Sequence, residues 1–429
     1  MTKATKAHDM NFIHKLFVFF LIFFFILSPR LDFNVVVHAG ILSVALLAIL
    51  VSVRQRNLFP LSKLLVVVAV FFLFLGVYHS FVATYYGNDA SYFSSICISV
   101  IVSVVFGWLT AAYLVSHGTH TCDLLDQLLV MCVIAAVVNS SVILVEYALP
   151  EIKSIIESHL LQNSEGLIYA EHPFELRGLA SAGGAGLSVF NAIAVLAIIY
   201  LVNSKKIHVS FALLGAVVIT CSNIFTGRTG LILSLLFTLV LLLTILVQNL
   251  KSGFMGSLRT VSVAIFGLFL LSLLANYDLN PAVAGWAFEW VDGLASGKLE
   301  SASTDDLATM IYLPGNPIHL LLGVGFFDGA RQLYPRSDSG YIKTILSIGV
   351  PLSIALYSVI LLMFFQVNKV ASKYFWLVVS VSCVMMFVEI KEPFLYQNFV
   401  ARMIFLLSGA AMFILAKRSS LAKADSAAH

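Results

Sequence analysis

Long apolar runs separated by short polar breaks make up most of this chain. A run of about 20 such residues is what a helix needs to cross a bilayer core. Twelve runs of that kind occur, near residues 12–28, 35–53, 64–83, 94–115, 127–148, 183–203, 209–226, 229–248, 260–276, 339–365, 374–390 and 398–416. The pattern predicts an all-α, polytopic integral membrane protein, with residues 1–429 forming a single membrane domain. The connections are short except for residues 149–182 and 277–338.

Those two long connections carry structure of their own. The first opens with Pro150 and a predicted short helix from Glu151 to Gln162, and continues through Glu171-His172-Pro173 to Arg177-Gly178. In the second, Asn280-Pro281 reads as an N-cap followed by a first-turn proline, and Val283, Trp286, Trp290 and Leu294 then recur at helical spacing. Two tryptophans on one face fit a helix lying in the headgroup layer. Between the long loops, the predicted seventh and eighth spans are separated only by Phe225-Thr226-Gly227-Arg228-Thr229-Gly230, which puts Arg228 at the membrane edge.

Composition agrees with the pattern. Hydrophobic residues make up 60% of the chain and charged ones 11%, too few charges for a water-facing surface. The net charge of +3 points to no nucleic-acid partner. If the N-terminus is cytoplasmic, the inner segments hold 15 of the 25 basic residues and 4 of the 22 acidic ones, as the positive-inside tendency requires. Both termini are then expected inside, residues 417–429 form a cytoplasmic tail, and both long loops face outward. The five cysteines lie in or beside apolar runs and outline neither a disulfide framework nor a zinc site. Residues 1–30 read as a retained first helix, because Ser28-Pro29-Arg30 is a poor cleavage site.

The usable chemistry collects in residues 276–341. Arg331, Arg336 and Ser337-Asp338-Ser339-Gly340-Tyr341 stand where a loop re-enters the bilayer. Guanidinium groups hold phosphate through paired, charge-assisted hydrogen bonds, and a carboxylate can accept a hydroxyl proton. Each residue also has a plainer reading. Arg228 could snorkel to any lipid phosphate, and Arg177, Arg331 and Arg336 could be ordinary loop charges. Arg402 could anchor a helix end or pair with Glu389 or Glu392, and Asp338 could be the N-cap of the tenth span as well as a general base. His172 could be a base, a ligand or neither. His38 and His79 are expected in interhelical hydrogen bonds. Glu289 and Asp292 with Asp305-Asp306 offer a cation site, but no Asp-x-Asp motif supports metal chemistry. The reading therefore includes no metal and no cofactor.

Three segments resemble the O-antigen polymerase and ligase superfamily of bacterial membrane glycosyltransferases. These are Thr226-Gly227-Arg228-Thr229-Gly230-Leu231, then Arg177-Gly178-Leu179 leading through glycines into the sixth span, and Asn316-Pro317 through Leu322-Gly323-Val324-Gly325 to Ser337-Asp338-Ser339-Gly340-Tyr341 and Gly349. The similarity covers roughly residues 165–360. Ligases of the superfamily usually carry a histidine where this chain has Asp338, which favours the polymerase side. Eleven residues after Arg177, where some polymerases have glycine, this chain has Ser188.

The resemblance implies a GT-C-like bundle in the bacterial inner membrane with its active site facing the periplasm. It further implies an undecaprenyl-diphosphate-linked oligosaccharide as substrate, and a chain-length regulator and flippase as partners beside membrane lipid. Arg228 and Asp338 would be catalytic. Arg177, Arg331, Arg336, Arg402, Tyr341 and His172 would bind diphosphate or glycan. A ligase acting on lipid A core or protein, and a transporter or flippase without chemistry, are the competing expectations.

Overall fold

The computed structural model describes residues 12–32, 36–54, 62–160, 175–250, 281–295, 309–327 and 333–427. The expected span at 260–276, together with His172, Arg331, Asp305 and Asp306, lies outside them. Helices α1 (Phe12–Leu27), α2 (Ala39–Arg54), α3 (Lys63–Tyr86), α4 (Ser91–Ser116), α5 (Leu124–Ala148) and α6 (Pro150–His159) come first. They are followed by α7 (Gly184–Asn203), α8 (Val209–Thr226), α9 (Arg228–Leu250), α10 (Pro281–Ala295), α11 (Pro317–Leu322), α12 (Gly340–Val370), α13 (Phe375–Val388) and α14 (Asn398–Ala427). Among the described residues, eight helices are long and apolar enough to cross a membrane: α3, α4, α5, α7, α8, α9, α12 and most of α14. Helices α1, α2 and α13 are apolar but shorter. The protein is thus an all-α polytopic membrane protein. Its one described sheet is a small antiparallel pair, β1 (Arg30–Asp32) and β2 (Val36–His38), so residues 36–38 extend as a strand where a helix starting at 35 was expected.

The chain gathers into two compact units, one of residues 1–18, 44–125 and 300–429, the other of residues 19–43 and 126–299. In the first, α4 packs along α14 and pairs with α3, while α12 packs against α14, α3 and α11. Glycine lets the α4 and α14 backbones approach. A Cβ on Gly107 would overlap the Leu406 backbone, and one on Gly409 would overlap Val104.

Helix α12 is not continuous. At Gly349 (φ 77°, ψ 165°) the backbone leaves helical geometry, two residues before Pro351. The segment after α11 fills the break, with the Val324 amide donating to Leu346 O over 2.7 Å and Ser347 Oγ donating to Phe326 O over 3.2 Å. Irregular backbone between apolar helices is stable only when its polar groups are met in this way.

His79, fully buried on α3, packs its ring on Phe93 at 4.8 Å.

In the second unit, α7, α8 and α9 pack against one another. Apolar packing here is reinforced by polar side chains, which find partners across helices because lipid offers none. Asn191 on α7 donates to Asn223 Oδ1 on α8 (3.0 Å), Asn223 donates to Ser234 Oγ on α9 (3.2 Å), and Thr220 and Thr238 share a hydroxyl bond (3.0 Å).

Candidate functional site

The α8–α9 turn is the tightest joint in the second unit. Helix α8 ends at Thr226, α9 begins at Arg228, and Gly227 alone separates them. Glycine is required on this hairpin because α7 lies against it. A Cβ on Gly227 would stand 2.6 Å from Ser188 Oγ, and one on Gly230 would overlap the Ser188 backbone. The Gly230 amide donates to Ser188 Oγ over 3.3 Å, and Asn223 Nδ2 donates to Ser188 O over 3.3 Å. These contacts fix the backbone from which the Arg228 side chain leaves.

Helix α10 supplies the surroundings of the Arg228 guanidinium. Glu289 forms an ion pair and hydrogen bond with Nη1, and Trp286, one helical turn earlier, places its indole 5.2 Å from Cζ. Arginine over indole is a favourable cation–π contact, worth about 0.5–2 kcal/mol depending on desolvation. The Nε group is buried and has no hydrogen-bond partner among the described residues. An unmet buried donor of this kind costs about 1–3 kcal/mol, and an acceptor with several oxygens would satisfy it. Glu289, which the sequence offered with Asp292, Asp305 and Asp306 as a cation site, is here paired with Arg228, and Asp305 and Asp306 lie outside the described residues.

Arg177 stands on the loop entering α7, and the loop is tied from several sides. The Leu176 amide donates to Phe225 O (2.9 Å), three residues before Arg228. Asn139 on α5 accepts from the Leu179 amide (2.8 Å) and donates to Arg177 O (3.2 Å). The buried Glu146 carboxylate accepts from the Gly178 amide (3.0 Å). Gly178 has φ +59°, a left-handed conformation that favours glycine. The Arg177 guanidinium donates to Leu160 O over 3.3 Å, and burial pulls its pKa below the ordinary arginine value, with Glu157 and Glu146 opposing the shift. Arg177 is therefore engaged in holding its own loop, which is one way an arginine serves a site without touching its ligand.

The second group of charges lies in the first unit, before α12. Arg336 Nε is 3.4 Å from Asp338 Oδ1 and Lys343 Nζ is 3.9 Å from the same oxygen. Asp338 does not cap the helix. Ser339 occupies the N-cap position without a side-chain bond, and its amide donates to Ser337 Oγ over 3.2 Å. That leaves the Asp338 carboxylate to the two cations. Arg336 is largely exposed, whereas the Lys343 ammonium is mostly covered and stands 5.8 Å from the Phe327 ring centre. Lys343 was not singled out by sequence reasoning. Its signal was a lone lysine in the first turn of an apolar helix, where the dipole disfavours a cation that has no acidic partner.

Under α12 lies a buried carboxyl group. Glu389, just past α13, accepts from the Leu395 amide (2.9 Å) and from the Tyr357 hydroxyl (3.0 Å), and its backbone carbonyl accepts from the Gly340 amide (2.9 Å). Thr344 on α12 bonds both the Tyr357 and the Tyr396 hydroxyls. Glu389 is thus not the partner of Arg402 that the sequence allowed. Arg402 sits half-buried on α14. Tyr341 donates to Met386 O over 2.7 Å and so ties α12 to α13.

The structure therefore joins Arg177 to Arg228 through their backbones in one unit, and Arg336 to Asp338 in the other. No family model, curated protein or solved structure matches the chain.

Proposed function

We propose that the protein is a membrane glycosyltransferase of the polymerase type, joining undecaprenyl-diphosphate-linked repeat units of a surface or secreted polysaccharide at the periplasmic face of the bacterial inner membrane. The observation that carries this reading is the Arg228 guanidinium. It is pinned by a glycine hairpin, backed by an indole and left with a buried donor unmet. Such a group suits a membrane-held anion with more oxygens than a carboxylate has. The motif resemblance supplies the substrate class.

In the reaction, an acceptor sugar hydroxyl attacks the anomeric carbon of the donor glycan. The bond from that carbon to the diphosphate oxygen breaks, and undecaprenyl diphosphate leaves with the bonding electrons. Arg228 stabilises the charge that develops on the leaving group, a preorganised effect worth several kcal/mol in a partly dry site. Asp338, paired with Arg336 and Lys343, is our proposed acceptor of the hydroxyl proton, a contribution of roughly 10²- to 10⁴-fold. Arg177 keeps the hairpin and its loop in place.

Transport without chemistry is the second reading, favoured by the break in α12, because discontinuous helices build many transport sites. Purified protein in liposomes, given lipid-linked repeat units and a chelator, separates the two. A ladder of longer lipid-linked glycans is expected of the polymerase. Movement of the units across the bilayer with no ladder would replace this reading by transport, and transfer to added lipid A core would replace it by ligation.

A further inference from the structure

We propose that α10 is a lid on the Arg228 anion site, with the Glu289 carboxylate occupying the place of the diphosphate oxygens until the substrate displaces it. The proposal rests on the lipid-diphosphate reading above and adds how that site is opened. Three observations carry it.

First, among the described residues the two groups that engage the Arg228 guanidinium, Trp286 and Glu289, both come from α10 and lie three residues apart, on one face of the helix. Arg228 itself is fixed by the α8–α9 hairpin, so movement of α10 changes the site while the arginine stays. Second, the Glu289 carboxylate meets Nη1 while the buried Nε has no hydrogen-bond partner among the described residues, so the guanidinium is satisfied incompletely. A diphosphate, with oxygens enough for Nε and both Nη groups, has the stronger claim. Third, the pair is reachable, the Arg228 and Glu289 side chains being 21% and 34% exposed. On helix α10, Val283 and Ala287 are fully buried one turn apart, while Pro281, Ala282 and Gly285 are exposed. A ligand that binds Arg228 in the open state and competes with Glu289 in the closed one shifts the population toward open.

The test uses full-length protein in lipid nanodiscs and farnesyl diphosphate as the probe, measuring affinity together with hydrogen exchange of the peptide spanning residues 281–295. In the wild type, the probe is expected to raise exchange across this peptide. Glu289→Gln should bind about tenfold more tightly, since the internal competitor has lost its charge, and should exchange rapidly with no probe present. Glu289→Ala, which removes the carboxylate altogether, should also bind more tightly than the wild type and stands in if the glutamine variant fails to fold. Arg228→Ala should not bind. If binding depends on Arg228 but neither Glu289 variant changes affinity and exchange of α10 stays constant, the lid is overturned while the anion site stands. Equal binding by wild type and Arg228→Ala removes the anion site, and the lid with it.

Discussion

The Leu176 amide donates to the Phe225 carbonyl over 2.9 Å, and this one bond joins the loop that carries Arg177 to the hairpin that carries Arg228. Neither segment is held by apolar packing alone. The loop hangs on Asn139 and Glu146, the hairpin on Ser188, and the Leu176–Phe225 bond makes their positions interdependent. Disturbing the loop should therefore reach Arg228.

Gly178→Ala is the cleanest way to disturb it. The new methyl would stand 2.7 Å from Asn139 Oδ1 while the backbone keeps φ +59°. Left-handed backbone costs a non-glycine residue roughly 1–2 kcal/mol. The expected result is a folded, inserted protein of lower stability in thermal unfolding, with much reduced polymer formation. Unchanged activity would show that the loop does not position the hairpin.

Gly230→Ala should be worse. Its methyl would meet the Ser188 backbone, which cannot rotate away as a side chain can. Overpacking of this kind costs about 1–3 kcal/mol, and separating α7 from α9 would also stretch the Asn191–Asn223–Ser234 bonds. Reduced yield of monodisperse protein in detergent is expected. Gly285→Ala is the control, since nothing lies within 4 Å of its added methyl.

Glu389 offers a contrast between charge and hydrogen bonding. Its carboxyl bonds are to an amide and a phenol, with no cation among the described residues. Glu389→Gln can still accept from Leu395 and can donate to Tyr357 if that hydroxyl turns, so stability close to wild type is expected. Glu389→Leu leaves the Leu395 amide buried and unmet and should lose about 1–3 kcal/mol. Thermal unfolding of the two variants decides it; equal loss in both would mean that the negative charge itself holds the fold.

Helices were legible where the chain punctuates its apolar runs. The span expected at 209–226 coincides with α8, and Pro281 is the first described residue of α10, where a first-turn proline was expected, because prolines act locally. The break in α12 was missed although Gly349-Val350-Pro351 was visible. Hydropathy averages over one irregular residue, and what stabilises the break is Val324, which is distant in sequence. The same limit applies at the sites. Arg228 stood out because an arginine beside apolar helices is costly. Its partner Glu289 lies 61 residues further on, and Glu146 lies 32 residues before the Gly178 it holds, separations over which no periodicity carries information. Asp338 was ambiguous between cap and base because both uses suit an aspartate before a helix. Only the structure, with Ser339 at the N-cap position, removed the cap.

The most direct measurement is chain growth by wild type, Arg228→Lys and Arg228→Ala in liposomes carrying lipid-linked repeat units, with the proportion of folded, inserted protein measured alongside. A ladder from the wild type, a fraction of it from Arg228→Lys and none from Arg228→Ala at equal insertion are expected, because lysine keeps the charge without the paired donors. A full-length ladder from Arg228→Ala would contradict the assignment of Arg228 to the leaving diphosphate.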